Sequence, residues 1–301
     1  VIGKKVVREE LQIIPAKVER IRYVQEVLGC PECKKDGASV IVGAETPSPL
    51  LKHSLASPST VAYVMCQKYV NSVPLYRQEA DWKQLGVKLS RATLANWVIK
   101  CGIDYMEPVY EQLHRHLLKR DIIHADETPC QVLKEEGKTA QSKSYMWLYL
   151  TSGCAEQAIV LYEYQSTRKA EHAENFLKGF SGWLHADGYQ GCHKLPENIR
   201  VVGCWAHARR KFDEALQTLP KEKQKDSPAA IGECYCSRLF KLEEAFAELT
   251  PEERYEKRLE QEKSVLDALL SWANEMQVKT APKSAMGRAI HYLLEQWPYL
   301  A

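Results

Sequence analysis

Two short apolar runs with the same ending stand out in the pattern of hydrophobic and polar positions. Residues 121–126 and 182–187 each lead into a His-Ala-Asp tripeptide, and each run is followed by residues that favour turns, at 127–129 and 188–191. A short apolar run bounded by Gly or Pro is typical of a buried strand. The pattern therefore predicts two related strands, each of which ends at an aspartate.

Three further segments have the β-branched and aromatic composition of strands, namely residues 144–151, 158–164 and 199–203. Ser152 and Gly153 indicate a hairpin turn between the first two of them. Residues 167–178 have apolar positions at helical spacing, begin at the capping candidate Thr167 and end at Gly179, which predicts a helix. Such a helix allows a crossover that returns the next strand parallel to the first. The order resembles the ribonuclease-H-like layout, an α/β fold with a mixed five-stranded sheet whose first and fourth strands are adjacent.

The two aspartates are the candidate catalytic and metal-binding residues. Because side chains alternate along a strand, His124 and Asp126 should share one face, as should His185 and Asp187. If the two strands are neighbours, the two carboxylates meet at one edge of the sheet. Carboxylate oxygens are the ligands that Mg²⁺ prefers, so we expect a magnesium site there. The histidines are interpreted as buried strand residues, each satisfied by a hydrogen bond.

Upstream of these strands, two short helices are predicted at residues 75–85 and 90–100, with Gly86 in the turn and Ser90 as an N-cap. This arrangement resembles a helix-turn-helix. Four apolar residues of the second helix should pack inward, namely Leu94, Trp97, Val98 and Cys101. Four polar ones should face solvent, where they suit contacts to phosphates and base edges, namely Arg91, Thr93, Asn96 and Lys100. DNA contact and the simple packing of a helical hairpin both remain open.

The fifth strand leads into residues 204–212, where His207, Arg210 and Lys211 lie three and four positions apart. This spacing places the three side chains on one face of a helix. A cationic cluster beside two carboxylates suits a phosphodiester group, although a solvated first turn would show the same pattern. The neighbouring aspartates favour the functional interpretation.

Residues 213–301 have apolar positions at helical spacing and predict an all-α segment. The stripes comprise Tyr235, Leu239, Leu242, Phe246 and Leu249; Tyr255, Leu259, Leu266, Leu269, Ala273 and Met276; and Met286, Ile290, Leu293 and Trp297. Glu295 in the last helix is interpreted as a surface residue.

Composition limits the number of domains and the modes of binding, but it does not identify a function. At 45% hydrophobic residues, 301 residues are enough for two or three domains with a sizeable core. The net charge of +2 means that nucleic-acid binding would depend on local basic patches. The charge-poor residues 53–67 are too short to span a bilayer and no signal-like segment is found, so a cytoplasmic location is expected.

Cysteine usage points to a reducing compartment, because the ten cysteines show no regular framework. The exception is the knuckle formed by Cys30 and Cys33. A structural zinc site usually draws its ligands from two such knuckles, so one knuckle predicts either a reduced turn or half of a zinc site.

Several blocks together resemble the IS66 (insertion sequence 66) family of transposases. The residues that carry the resemblance are 124–129, 184–189 and 204–212, with 73–79 and 89–97 upstream and Cys30 with Cys33 at the start. The blocks occur in order along nearly the whole chain. The helix-turn-helix region and the second half of the zinc-binding segment of that family correspond to the upstream blocks.

This resemblance implies a DNA transposase of the DDE type, which cleaves and transfers DNA strands with two Mg²⁺ or Mn²⁺ ions. Asp126 and Asp187 would be its first two acids. The family's third acid, a Glu, lies in a later block that this chain does not contain, so truncation before that acid is expected. The implied partners are double-stranded DNA, at the element ends and the target, and further copies of the chain on that DNA; no membrane is implied. The implied location is the bacterial cytoplasm, at the nucleoid during action.

The resulting domain division has a zinc-segment remnant at 1–35, a linker at 36–60 and a helix-turn-helix-like region at 61–118. An incomplete ribonuclease-H-like core follows at 119–212, without its last helix, and a helical insertion follows at 213–301.

Two other functions remain open. The chain could be a catalytically inactive, DNA-binding transposase remnant, or a hydrolase of small molecules in which the two His-x-Asp pairs ligate Zn²⁺ or Fe²⁺.

Overall fold

The structure is a computed structural model that describes residues 9–11, 17–29, 35, 41–153 and 157–301. The chain divides into two compact units, Val1–Val109 and Tyr110–Ala301. The predicted knuckle at Cys30 and Cys33 lies outside the described residues.

The described part of the first unit contains a small two-stranded antiparallel sheet and a group of helices. The elements are β1 (Val27–Gly29), β2 (Ile41–Gly43), α1 (Pro58–Tyr69), α2 (Leu75–Gln84), α3 (Arg91–Cys101) and a π-helical turn (Gly102–Met106). Ser90 caps α3 as predicted, since its side chain accepts a hydrogen bond from the Thr93 N–H. Gly86 follows α2 with φ of +81°, a conformation that favours glycine.

The core of this unit forms where α1, α2 and α3 meet. All four residues predicted to face inward from α3 are buried, namely Leu94, Trp97, Val98 and Cys101. They pack with Val64 and Trp82 from the other two helices. Gln78 is buried among them, and its amide donates hydrogen bonds to the Val64 and Val73 carbonyls. These bonds satisfy the amide nitrogen, whereas the buried Oε1 atom of Gln78 has no hydrogen-bond partner in the described residues.

The second unit is built on a mixed five-stranded sheet. A helix, α4 (Glu107–Leu117), precedes β3 (Ile122–Gln131), β4 (Lys143–Thr151), β5 (Val160–Gln165), α5 (Ala170–Phe176), β6 (Gly182–His185) and β7 (Ile199–Val202). The spatial order is β5-β4-β3-β6-β7, and β3 pairs antiparallel with β4 and parallel with β6. The predicted strands and the adjacency of the first and fourth are therefore confirmed.

The predicted end of the first strand was wrong. Glu127, Thr128 and Pro129 do not form a turn but continue β3, where Pro129 is the Cα partner of Tyr145 on β4. On the other side, pairing with β6 stops at His124 opposite His185. Because β3 has only one neighbour beyond that point, a proline there need not remove a ladder hydrogen bond.

The predicted helix at 167–178 is shorter at both ends. The structure begins α5 at Ala170, after Lys169, and Thr167 instead hydrogen-bonds the His172 ring at 2.7 Å. The helix ends at Phe176, and Gly179 has φ of +89°. The Thr167 hydroxyl therefore bonds the His172 side chain instead of a backbone N–H, and the expected N-cap does not form.

The sheet is covered on one face by its main core. Ile123 and Ala125 point into this core from β3 and pack with buried aromatic residues of β4 and α5. The ring of Tyr149 stacks on Phe176 with centroids 3.7 Å apart. Alternation along β3 consequently directs His124 and Asp126 to the opposite face.

The chain after β7 is helical, as predicted. It comprises α6 (Trp205–Gln217), α7 (Pro228–Ala245), α8 (Pro251–Lys257), a π-helical segment (Arg258–Glu262), α9 (Lys263–Lys279) and α10 (Ala285–Leu300). A buried cluster joins α6, α7, α9 and α10 through residues that include Phe212, Cys236, Leu269, Ile290 and Leu293. The end of α10 returns to the sheet, where Gly203 N–H donates to the Tyr299 carbonyl at 2.8 Å.

Part of the second predicted stripe is not buried. Tyr255 and Leu259 are 62% and 52% exposed, whereas Leu269 and Ala273 are buried. The π-helical segment Arg258–Glu262, which contains Leu259, separates Tyr255 from Leu269 and Ala273. A π turn contains more residues than an α turn, so apolar positions before it no longer align with the face after it. In the part of the chain that the structure describes, no helix is both long and apolar enough to cross a membrane.

Candidate functional site

The parallel pairing of β3 and β6 determines where the two aspartates lie. His124 and His185 are Cα partners, and each aspartate lies two residues further along its own segment. The β6 ladder ends at His185, but Ala186 N–H still bonds the Val202 carbonyl at 3.0 Å, so the chain keeps its direction up to Asp187. Asp126 and Asp187 therefore reach the same edge of the sheet.

A third residue joins them from the first turn of α6. Ligand atoms of Asp126, Asp187 and His207 all lie within 4.8 Å of one another, and this is the one such group of three among the described residues. The Nδ1 atom of His207 is buried and has no hydrogen-bond partner in that part of the chain. Two carboxylates and an imidazole nitrogen are a donor set that a divalent metal ion can use.

His207 has a close partner of its own in Cys204, the residue that precedes α6. Its hydrogen bond to Cys204 raises the pKa of His207 against the opposing effect of burial, and the two aspartates raise it further. Burial raises the pKa of the Cys204 thiol, but hydrogen bonding and charge from His207 outweigh that effect and lower it. The imidazole therefore lies in a negatively charged environment.

The strand histidines occupy a different position from His207. The rings of His124 and His185 are 4.5 Å apart between centroids. Burial lowers the pKa of His124, and burial together with the other two histidines lowers that of His185, whose ring hydrogen-bonds the Gly203 backbone. The two rings pack against each other, and each lies two residues before one of the acids. In the described residues neither joins the group of three, which gives no support to a metallohydrolase site built on His-x-Asp pairs.

Glu127 is a buried acid next to this site that the sequence interpretation placed in a turn. Its side chain is 4% exposed and forms an ion pair with Arg168. Burial raises its pKa to about 7, with a contribution from Asp187 and against the effect of Arg168. Alternation along β3 would have placed Glu127 on the same face as Ile123 and Ala125 if the strand had been extended. The proline that follows concealed this signal.

Arg168 connects the buried acid to the aspartate edge. Its Nη2 atom lies 3.6 Å from Asp187 Oδ2, and its guanidinium lies over the Tyr189 ring at 4.3 Å. The Tyr189 N–H in turn donates to Asp187 Oδ1 at 2.9 Å. An open pocket of about 390 Å³ adjoins this network. It is lined by Arg168, Asp187, Gly188, Tyr189, Gln190 and Tyr292.

The remaining predicted contact residues are distributed over both units. In the second unit, Arg210 is exposed, and its charge opposes the rise that burial causes in the pKa of Tyr292. Lys211 forms an ion pair with Glu214 at 3.1 Å. Glu295 accepts a hydrogen bond from Gln190 at 3.4 Å and does not join the group of three.

Of the α3 residues in the first unit, Arg91 and Asn96 are exposed. Lys100 is also exposed but pairs with Asp104 at 3.0 Å. Thr93 is half-buried, with its hydroxyl against that of Ser90. The predicted solvent-facing surface of α3 is thus narrower than expected, because Thr93 takes part in the helix cap.

The fold and this site define a mixed α/β protein with a candidate divalent-metal centre at the edge of its sheet. Comparison with known families gives a more specific assignment. Residues 53–301 match the transposase IS66 family, and residues 1–34 match the zinc-finger binding domain of transposase IS66. The chain therefore belongs to the IS66 family of transposases, which confirms the resemblance derived from its motifs.

Relatives from Sinorhizobium fredii support the same grouping. The chain is 30% identical to the uncharacterized protein y4qI, with 95% of this chain and 53% of that protein covered. It is 27% identical to the uncharacterized protein y4hP, with 97% and 54% covered. The chain thus spans about half the length of these curated relatives.

Proposed function

We propose that this chain carries metal-binding residues of a DDE-type catalytic core in a DNA transposase, which cleaves and transfers the DNA strands of an insertion sequence. The observation that carries the proposal is the convergence of Asp126, Asp187 and His207 within 4.8 Å. The five-stranded sheet supports a ribonuclease-H-like assignment for residues 119–212, since Asp126 and Asp187 each lie two residues beyond the last pair of the parallel strands β3 and β6. The helices of 213–301 would be an insertion in that core.

The donor set fits the metal that the family resemblance implies. Asp126 and Asp187 supply hard oxygen ligands of the kind that Mg²⁺ and Mn²⁺ prefer. When bound, a pair of such ions would activate the attacking oxygen and stabilise the leaving oxygen of a phosphodiester. The protein's contribution is orientation, since the Asp126 carboxylate accepts the Glu127 N–H and that of Asp187 accepts the Tyr189 N–H, each at 2.9 Å. These backbone bonds limit the rotation of both carboxylates.

His207 has a more specific role here than a general DNA contact. Its position beside both acids supports metal ligation or contact with the phosphate held there. Arg210, which is exposed one turn further along α6, is then the better candidate for the DNA backbone. Lys211 is engaged with Glu214, so its contribution to DNA binding would require that pair to open.

We further propose that the helical region upstream of the five-stranded sheet binds double-stranded DNA. Residues 61–118 would act as a helix-turn-helix region, with Arg91, Asn96 and Lys100 of α3 as the contacting side chains. Residues 1–35 would be part of a zinc-binding segment, in which Cys30 and Cys33 supply two of the ligands, and residues 36–60 a linker. A homo-oligomer on the element ends would bring two such regions to the DNA.

The metal site can be tested by measuring Mn²⁺ binding to the 301-residue chain with electron paramagnetic resonance. Asp126→Asn and Asp187→Asn should each weaken binding about tenfold or more, because each removes an ionised ligand. Asp121→Asn, the same substitution at the residue that precedes β3, is the matched control and should leave binding unchanged. In a cleavage assay of the full-length protein with labelled DNA, the same two substitutions should abolish strand cleavage. Unchanged metal binding in both variants would refute the assignment.

A further inference from the structure

The guanidinium of Arg168 is held by side chains on two sides. Glu127 Oε1 accepts hydrogen bonds from its Nε and Nη2 groups, and the Tyr189 ring lies against its face at 4.3 Å. The Tyr189 hydroxyl also donates a hydrogen bond to the Arg168 backbone carbonyl, so Tyr189 contacts both the main chain and the side chain of Arg168. The plane of the guanidinium is therefore set by Glu127 at its edge and by Tyr189 at its face.

The two partners of this ion pair differ strongly in accessibility. The side chain of Glu127 is 4% exposed, whereas that of Arg168 is 40% exposed. In the part of the chain that the structure describes, no hydrogen bond or ion pair involves the Arg168 Nη1 group. A pair that served only to neutralise a buried carboxylate would not need an exposed guanidinium edge.

The guanidinium also lies beside the candidate metal site. Arg168 Nη2 is 3.6 Å from Asp187 Oδ2, which is too long for a good hydrogen bond but close enough to share a ligand. Arg168 also lines the open pocket of about 390 Å³ that contains Asp187. A phosphodiester group located at the two aspartates would therefore be within reach of the guanidinium.

We propose that Arg168 binds a phosphate oxygen of the DNA strand at the aspartate edge, with Glu127 and Tyr189 holding its guanidinium in position. The planar fork of arginine matches phosphate geometry, and an arginine held by other side chains loses less conformational entropy on binding. The inference rests on the proposed function for the identity of its ligand, DNA, but it requires no catalytic step. Glu127 is a positioning residue in this scheme, because it acts through Arg168.

The test measures affinity for a fluorescein-labelled DNA duplex of mixed sequence, with Ca²⁺ in place of Mg²⁺ so that binding is separated from cleavage. Affinity is followed between about 50 and 200 mM salt, where each neutralised phosphate contributes about 0.9 to the slope of log affinity against log salt. Arg168→Gln should lower affinity and reduce that slope by about 0.9. Arg168→Lys should keep the slope and lose affinity, because lysine retains the charge but not the fork.

Two further variants guard against indirect effects. Glu127→Gln with Arg168→Gln removes both charges of the pair, so no buried carboxylate is left unpaired, and it should show the same reduced slope as Arg168→Gln. Lys169→Gln removes an equal charge from the adjacent exposed residue, which pairs with Glu171 at 3.3 Å, and should leave the slope unchanged.

A wild-type slope in both Arg168→Gln and the double variant would overturn the proposal, as would an equal loss in Lys169→Gln. These outcomes are separate from the metal test, since Asp126→Asn and Asp187→Asn are judged on Mn²⁺ binding. If those two variants lose metal while Arg168→Gln binds DNA normally, only the role of Arg168 fails. If they retain metal while the salt slope of Arg168→Gln falls, the metal site fails and the phosphate contact stands.

Discussion

His124 and His185 face each other across the parallel pair of β3 and β6, as Cα partners with ring centroids 4.5 Å apart. This register brings Asp126 and Asp187 to one edge, because each lies two residues beyond its histidine. A slip of one residue would turn one aspartate to the opposite face of the sheet. The packed histidine pair therefore helps to set the geometry of the acids in addition to filling space behind them.

If His207 is a metal ligand, its loss should change which metals bind. Imidazole suits Ni²⁺ better than Mg²⁺, which prefers oxygen ligands. His207→Ala should therefore lower the affinity for Ni²⁺ by a larger factor than the affinity for Mg²⁺, as measured by isothermal titration calorimetry. His172→Ala is the control, because the His172 ring is hydrogen-bonded to the Thr167 hydroxyl and is not part of the group of three. Unchanged affinity for both metals would show that His207 is not a ligand and would favour a contact with the phosphate instead.

The close packing of α6 against α7 depends on Gly232. A Cβ atom at this position would lie 2.5 Å from Cδ1 of Phe212, a fully buried ring. Gly232→Ala should therefore destabilise the second unit by about 1–3 kcal/mol, despite the better helix propensity of alanine. The urea midpoint of unfolding would report the change.

Gly102 provides the matched comparison for Gly232. A Cβ atom there would meet nothing within 4 Å, and the residue has helical backbone angles. Gly102→Ala should stabilise the first unit by about 0.5–1 kcal/mol. A destabilised Gly102→Ala, or a neutral Gly232→Ala, would contradict the packing described for these helices.

Glu163 should make stability depend on pH. Burial raises the pKa of this carboxyl above its ordinary value of 4.5, against the effects of Gln165, His172 and His114, and its Oε2 atom has no partner in the described residues. A raised folded-state pKa contributes stability below the ordinary value, and that stability is lost as pH rises through the folded value. Glu163→Gln should therefore gain thermal stability relative to wild type at about pH 8 but not at about pH 4.

The control for this effect is Glu171→Gln, since Glu171 is an exposed glutamate paired with Lys169 on the surface. Its melting temperature should track that of the wild type at both pH values. A gain of the same size at both pH values in Glu163→Gln would show that ionisation of Glu163 is not the cause.

The exposed face of α3 should contribute to DNA binding without contributing much to stability. Asn96 and Lys100 lie one turn apart and are both exposed. The double variant Asn96→Ala with Lys100→Gln should weaken binding to a labelled duplex, with a smaller salt dependence, because it removes one cation and one hydrogen-bonding group. Fluorescence anisotropy would measure the affinity, and thermal unfolding would check the fold.

Lys83→Gln, which removes an exposed charge from α2, is the comparison for that variant. If it weakens DNA binding as much as the α3 double variant, the effect is a general one of charge and the α3 face has no special role.

The local pattern of apolar and polar residues was enough to predict the strands of the sheet and the inward-facing residues of α3. It also predicted that each aspartate lies on the same face of its strand as the histidine two residues before it. Each of these depends on periodicity within a short segment, which the backbone geometry of a strand or helix sets directly. The adjacency of β3 and β6 was expected because the order of the elements resembles the ribonuclease-H-like layout, and the helix before β6 allowed a parallel return.

Other features of the fold and the site depended on where neighbouring strands end and which path the connecting loops take. Pro129 signalled a turn, yet β3 continues through it because β6 ends at His185 and leaves that side of β3 unpaired. This continuation buries Glu127, and only the loop before α5 supplies its partner Arg168. Likewise, helical spacing grouped His207 with Arg210 and Lys211, whereas the fold groups it with the two aspartates.

The amino-acid sequence alone therefore determined which residues share a face of each strand or helix, because that depends on covalent geometry and local periodicity. Only the tertiary structure decided which of those faces meet. The ion pair of Glu127 with Arg168 and the position of His207 beside the acids both join segments that are distant in the chain. Such contacts depend on strand ends and loop paths, which the pattern of apolar and polar residues does not encode.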